Sequence, residues 1–325
     1  MTPTTPSAAE ARRLRLPDAL TQHIGLIGVI VVIGVFLTVA TDAFATGPNL
    51  VNVLRQISVM AVLAAGLTLL LGAGGLDFSL GSQVAVVVAT LAQLLSAGVP
   101  LPIALAAVLA LGVVMGLLNG VIITVFGVAP FVVTLASATL LDGVALIIQN
   151  GQSVSIGGDL TALGLGTAFG IPYLVLIAAA ICAIAAIVLR WTRFGRDILA
   201  IGGNKAAARL TGIPVRSRTV TLYALNGLFA GIAGIMLLSR LGASSPGTAG
   251  LPLELSVVAA VVIGGTALHG GSATVFGTVL GVLLLGIVAN GLNLLQIDSF
   301  YQPVSVGLVL LVAAVINELR YRRKR

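Results

Sequence analysis

Residues 101–123 read LPIALAAVLALGVVMGLLNGVII, a stretch without a single Asp, Glu, Lys or Arg. It is long enough for the ~20 residues a helix needs to cross a bilayer. Similar runs recur along all 325 residues, of which 58% are hydrophobic and 8% charged, against roughly a quarter charged in soluble domains. The sequence therefore specifies a membrane protein. In lipid every backbone amide must be bonded inside the protein, and no dyad-alternating barrel pattern is present, so the spans are helices. The expected fold is all-α and polytopic.

Working outward, apolar runs fall near residues 24–41, 57–73, 78–97, 101–123, 128–149, 171–190, 219–241, 254–268, 273–290 and 302–319. The count is about ten, and eight to ten when the short or glycine-broken runs are discounted. Residues 1–22, rich in Thr, Pro and Ala, read as a disordered tail. The first run is followed by Ala43-Phe44-Ala45, a cleavage-like pattern. It exceeds the usual 7 to 15 apolar residues of a signal peptide and reads as an uncleaved anchor. One transmembrane domain, residues 23–319, is then followed by a basic tail, 320–325.

Charge fixes the expected orientation. With the N-terminus inside and ten alternating spans, fifteen of the seventeen Lys and Arg residues fall on the cytoplasmic side, all but Arg55 and Arg240. The positive-inside rule demands this bias, so both termini are expected in the cytoplasm. A net charge of +7 thus reflects topology. Nucleic acid is not an expected partner, because the basic residues do not cluster with aromatics on a soluble face. Membrane lipids are.

Cys182 is the only cysteine, and His23 and His269 are the only histidines. No disulfide framework is possible, and no metal site is expected. A phosphate loop would need G-x-x-x-x-G-K-[ST], which occurs at neither Lys205 nor Lys324. The chain is expected to be no enzyme and to carry neither an ATPase site nor a cofactor of its own.

The longest polar segment between spans, 191–218, contains GGNKAAARLTGIP (202–214). Asn204 is a good N-cap, Ala206–Ala208 favour helix, Gly212 suits the left-handed position after a helix, and Pro214 prevents continuation. A two-turn helix is predicted, too short to stand alone in water.

Four stretches in order carry a family resemblance: GGLDFSLGS (74–82), LNGVIITVFGVAPFVVTLAS (118–137), TRFGRDILAIGGNKAAARLTGIPV (192–215), and VVAAVVIGGTALHGGSATVFGTVLGVLLLGIVANGLNLL (257–295). Together they resemble the permease subunits of ATP-binding-cassette importers for simple sugars of the ribose and xylose type. The resemblance spans roughly residues 45–320. It implies a membrane subunit, in a bacterial inner membrane, that translocates a monosaccharide or similar small polar solute. It also implies a separate ATPase that binds the ATP, a periplasmic or lipid-anchored solute-binding protein, and a second permease subunit, most simply a second copy.

By the same resemblance, Gly203, Asn204, Lys205, Ala206, Ala207, Arg209 and Gly212 form the coupling contact with the ATPase. The family usually carries Glu where this chain has Lys205, and a cation is disfavoured in a first helical turn. Gly74, Gly75, Asp77 and Ser79 interrupt one apolar run, as Gly264 and Gly265 interrupt another. Such breaks line translocation paths. Asp77 has a plainer reading as a cap accepting the amide of Ser79 or Leu80. Asn119, Thr134 and Asn290 suit the lining for a neutral sugar, and equally suit interhelical hydrogen bonds. Glu254, at an expected outer rim, is a candidate for docking the binding protein. The Gly-x-x-x-Gly pairs at 112/116, 227/231 and 277/281 predict close helix packing.

Two other readings fit the composition. A branched-chain amino acid permease would keep the cassette mechanism, and an ion-coupled secondary transporter would act alone.

Overall fold

The computed structural model describes residues 18–298 and, beyond them, Tyr301, Val304, Gly307, Leu308 and Leu311. The expected tails at 1–17 and 320–325 lie outside the described residues. Of the expected last span, four positions are described, and all four are helical.

Besides these helical positions, twelve helices have described bounds: α1 (Asp18–Ala40), α2 (Gly47–Gly72), α3 (Leu80–Ser96), α4 (Leu101–Val125), α5 (Pro130–Gln149), α6 (Asp159–Leu165), α7 (Tyr173–Trp191), α8 (Arg193–Gly203), α9 (Lys205–Leu210), α10 (Val215–Leu241), α11 (Leu251–Ile263) and α12 (Val275–Leu294). Four two-residue strands complete the fold, β1 (Val154–Ser155), β2 (Thr167–Ala168), β3 (Ile171–Pro172) and β4 (Ala243–Ser244). Seven helices are long and apolar enough to cross a membrane, namely α1, α2, α4, α5, α7, α10 and α12. The apolar helices α3 and α11 are shorter, with 17 and 13 residues. Helix α1 starts at Asp18, inside the segment expected to be a tail.

Proline sits in the first turn of α2, α4, α5 and α11, where its missing N–H is no loss. Helix α2 is the axis of the bundle. Every residue from Ala61 to Gly72 is buried, and it packs against α7, α10, α11 and α12. It begins ten residues before the expected run because Arg55 does not stop it. The Arg55 guanidinium donates to the Leu165 carbonyl at 2.5 Å.

Close packing follows the glycine pairs. A Cβ on Gly112 would stand on the Gly227 carbonyl oxygen, and one on Gly116 on the Tyr223 carbonyl oxygen. Helices α4 and α10 therefore touch backbone to backbone, as small-x-x-x-small spacing allows in membranes. Gly277 and Gly281 do the same against Gly264 and Ala260.

The segment after α10 does not stay at the surface. Strand β4 pairs antiparallel with β1, Val154 opposite Ser244, and the chain then turns inward until Gly250 lies beside the Asp142 carboxyl. Asp142 is seven residues before the end of α5, about 10 Å along the helix axis. Helix α11 consequently starts inside the bundle. Its first turn meets that of α3, where a Cβ on Gly81 would strike the Gly250 carbonyl.

Overpacking a membrane helix crossing costs about 1–3 kcal/mol. Gly116→Ala is therefore expected to lower stability by that amount in reversible detergent unfolding. Gly143→Ala, where a Cβ meets nothing within 4 Å, is expected to leave it unchanged or slightly higher.

Candidate functional site

The segment between α7 and α10, expected to couple to an ATPase, is built by local capping. The Thr192 hydroxyl accepts the Gly195 amide at 3.1 Å and opens α8. Asn204 Oδ1 accepts the amides of Ala206 and Ala207, both at 3.0 Å, and opens α9. At the other end Gly212, with φ of 82°, lets the Ile213 amide reach Ala208 O and its own amide reach Arg209 O, both at 3.1 Å. This is the double-bonded Schellman ending that glycine favours.

Helix α9 packs as its length requires. Ala208 is buried with Ile201 and Val215, leaving Ala206, Ala207, Arg209 and Leu210 outward. Leu210 is 90% exposed. The base of α10 is tied to α8 by Arg218, whose Nε lies 2.9 Å from Asp197 Oδ2 and whose guanidinium covers the Phe194 ring at 5.2 Å.

The last turn of α8 rests on both helix breaks. A Cβ on Gly202 would overlap the Gly72 carbonyl oxygen and the Gly271 nitrogen. The Gly271 amide itself donates to Gly72 O at 2.9 Å. Gly74, at φ of 73°, turns the chain out of α2 beside the His269 carbonyl. Gly264 closes α11 against Gly277. Three segments far apart in sequence thus meet through glycine backbone.

A buried polar network fills the first break. Asp77 Oδ1 accepts the Ser79 amide at 3.0 Å and its hydroxyl at 2.6 Å. Ser79 Oγ accepts Gln83 Nε2 and Asn119 Nδ2, each at 2.9 Å. Ser137 donates to Asn119 Oδ1 at 2.6 Å. The Tyr223 hydroxyl donates to the Leu76 carbonyl at 2.7 Å. Helices α3, α4, α5 and α10 are joined here, with Asp77, Ser79, Asn119 and Thr134 all buried.

The network is incomplete in a particular way. Asp77 Oδ2, both side-chain polar atoms of Asn226 and both carboxyl oxygens of Glu254 are buried with no well-formed hydrogen bond, although Asn226 faces Asp77 and the Gly81 amide faces Glu254. Buried polar atoms without partners are uncommon. These stand where the first turns of α3 and α11 converge, between helix N-termini that carry partial positive charge. On the far side of that junction a cavity of 370 Å³ is lined by Asp142, Gln149 and residues 245–250.

Several expectations change here. The plainer reading of Asp77 is what the geometry displays, since it accepts the Ser79 amide. Glu254 is fully buried, with 0% exposure. It does not lie on an outer rim and offers no surface to a docking protein, because residues 242–250 fold inward and carry it down with them. Asn290 is drawn away from the network. It exchanges two hydrogen bonds with Asn49, at 3.0 and 2.8 Å, and so joins α12 to the start of α2. Thr134 donates to its own helix at Pro130 O. Gln83, Ser137, Tyr223 and Asn226 join the site without having been predicted. Only their polarity within otherwise apolar runs marks them.

Residues 49–315 match the protein family described as the permease component of the branched-chain amino acid transport system. The chain is 39% identical to the ribose import permease protein RbsC of Escherichia coli K12, over 96% of this chain and 98% of that protein. It is 36% identical to RbsC of Bacillus subtilis, over 95% and 96%. It is 34% identical to the L-arabinose ABC transporter permease protein AraH of Azospirillum brasilense, over 94% and 90%. No solved structure matches. The glycine-broken helices, the capped segment between α7 and α10, and identity over nearly the whole chain lead to one assignment: the chain belongs to the permease components of ABC transport systems.

Proposed function

We propose that this permease carries a monosaccharide or similar small polar solute into a bacterial cell across the inner membrane. The observation that carries the mechanism is the seating of α8 on both helix breaks, with α9 packed directly after it. A separate ATPase subunit grips the outward face of α9, Ala206, Ala207 and Leu210, and its closure on ATP moves α8 against Gly72 and Gly271. The path then opens alternately to each side. No bond in the solute is broken, and the ATP is held by the partner.

Further parts of the assembly belong to the same reading. Ten spans with both termini cytoplasmic agree with the nine described helices at predicted span positions and with the charge bias. A periplasmic or lipid-anchored binding protein supplies the solute, and a second copy of the chain completes the path. Asp77, Ser79, Asn119 and Thr134 border that path. Neutral amides and hydroxyls complement sugar hydroxyls, which donate and accept alike.

A branched-chain amino acid is the second reading, favoured by the description of the family. It is the weaker one, since near-full-length relatives are named for ribose and arabinose. Moreover, no Lys or Arg takes part in the hydrogen bonds of the network that could meet an amino acid carboxylate. Nor does an ion-coupled carrier account for an outward coupling helix.

Reconstitution of the chain with its ATPase and binding protein decides among these. ATP-dependent uptake of labelled ribose, arabinose or xylose, indifferent to an uncoupler, is expected. Uptake of leucine alone, or collapse with the uncoupler, contradicts the proposal. Ala207→Trp is expected to cut uptake at least tenfold with membrane insertion intact. Asn204→Ala, which removes a cap worth ~1 kcal/mol, should weaken ATPase association about fivefold in a pull-down titration.

A further inference from the structure

At the coupling end of the bundle, a cavity of 340 Å³ opens between the α4–α5 turn and the base of α10. This is within the range of about 300–1,000 Å³ typical of small-molecule sites. Lys205, Arg209 and Arg216 line it, and no Asp or Glu does. Lys205 and Arg209 are four residues apart on α9, so they share one face. Ala206 and Leu210 form a neighbouring face.

Three exposed cations border this space, and no carboxylate among the described residues lines it. Among the described residues the one ion pair joins Arg218 to Asp197, and neither residue lines the cavity. Like charges bordering one space favour an anion between them. Two long helices also begin here, α5 at Pro130 and α10 at Val215, and neither has a side-chain cap. The N-terminal ends of both helices, which line the cavity with Pro130, Val215 and Arg216, carry partial positive charge.

The rim of the cavity is of opposite character. Val125 and Phe126 line it and are 65% and 73% exposed. Two large apolar side chains beside three cations, at the end of a membrane helix, suit an amphiphile. A soluble anion would satisfy the cations and leave Val125 and Phe126 in water. An acyl chain covers them while its headgroup phosphate meets the cations.

We propose that this cavity binds the phosphate headgroup of an anionic phospholipid of the cytoplasmic leaflet. Lys205, Arg209 and Arg216 hold the phosphate, and Val125 and Phe126 lie along the first methylenes of the chain. The lipid bridges α9 to the α4–α5 turn and so braces the helix along the face next to its exposed Leu210. Lys205, which fits the first turn of α9 poorly, is explained by this anion. The inference rests on the membrane orientation proposed above, with α9 in the cytoplasm, and is independent of the cargo.

The test uses the full chain, purified in a neutral detergent, and needs no transport. Its melting temperature is measured with added phosphatidylglycerol, phosphatidylcholine or inorganic phosphate. Three proteins are compared: the parent, a cavity variant (Lys205→Gln, Arg209→Gln, Arg216→Gln), and a charge-matched control (Arg190→Gln, Arg193→Gln, Arg196→Gln). Phosphatidylglycerol is expected to raise the melting temperature above the phosphatidylcholine value in the parent and the control. In the cavity variant its apparent affinity should fall roughly a hundredfold, three lost contacts of about tenfold or less each. Equal loss in both variants would mean general attraction to the leaflet and would overturn the site. Protection by inorganic phosphate equal to that of the lipid would overturn the lipid assignment. So would protection seen only on adding the ATPase subunit. If the triple variant does not fold, Arg216→Gln alone is compared with Arg196→Gln by the number of phosphatidylglycerol molecules retained in native mass spectrometry. An unchanged number would be equally fatal.

Discussion

The hydrogen bond from the Gly271 amide to the Gly72 carbonyl, 2.9 Å long, joins the end of α2 to the turn between α11 and α12. In hydrocarbon an interrupted helix is tolerated only if the protein itself takes up the freed amides and carbonyls. Here one break satisfies the other. That solution requires backbones in contact, so glycine is needed on every side. A Cβ on Gly202 or Gly270 would collide with backbone of the opposing segment. The coupling segment enters as the third member of this junction, because α8 ends on Gly202 and Gly203. A soluble-looking loop is thereby fastened to the part of the membrane domain least able to deform without opening.

From that junction the chain rises into the polar network around Ser79. Short helices α3 and α11 leave its neighbourhood in different directions with their first turns together. The arrangement concentrates Asp77, Glu254 and Asn226 where water is excluded and where several of their atoms lack well-formed hydrogen bonds. Burying such groups is unfavourable unless something else hydrogen-bonds them. A solute rich in hydroxyls supplies both donors and acceptors. The same physics explains why the remaining glycines are spent on α4, α10 and α12, holding a bundle with few polar contacts tightly together.

Much of this was legible in the sequence because some signals are local. Caps at Asn204 and Gly212 need only neighbouring residues, and glycine at four-residue spacing advertises a close crossing wherever its partner lies. What escaped depends on distant contacts. Arg55 hid the first two turns of α2 because a charge ends an apolar window, although a long side chain can reach a carbonyl at the bundle end. Residues 242–250 have the composition of a surface loop, and only their pairing with β1 reveals that they turn inward and bury Glu254. Leu210 reads as a core residue by type, and Gln83, Asn226 and Tyr223 as ordinary interhelical polar groups. Nothing local marks which of them faces another chain or the network.

The central claim is that motion of the coupling segment reaches the helix breaks through backbone contact at Gly202. The most direct measurement is the ratio of solute taken up to ATP hydrolysed by the assembled transporter carrying Gly202→Ala. A Cβ there forces α8 away from Gly72 and Gly271 while leaving the outward face of α9 intact. Hydrolysis is expected to persist while uptake falls at least tenfold. Uptake and hydrolysis keeping the ratio of the parent protein would contradict it.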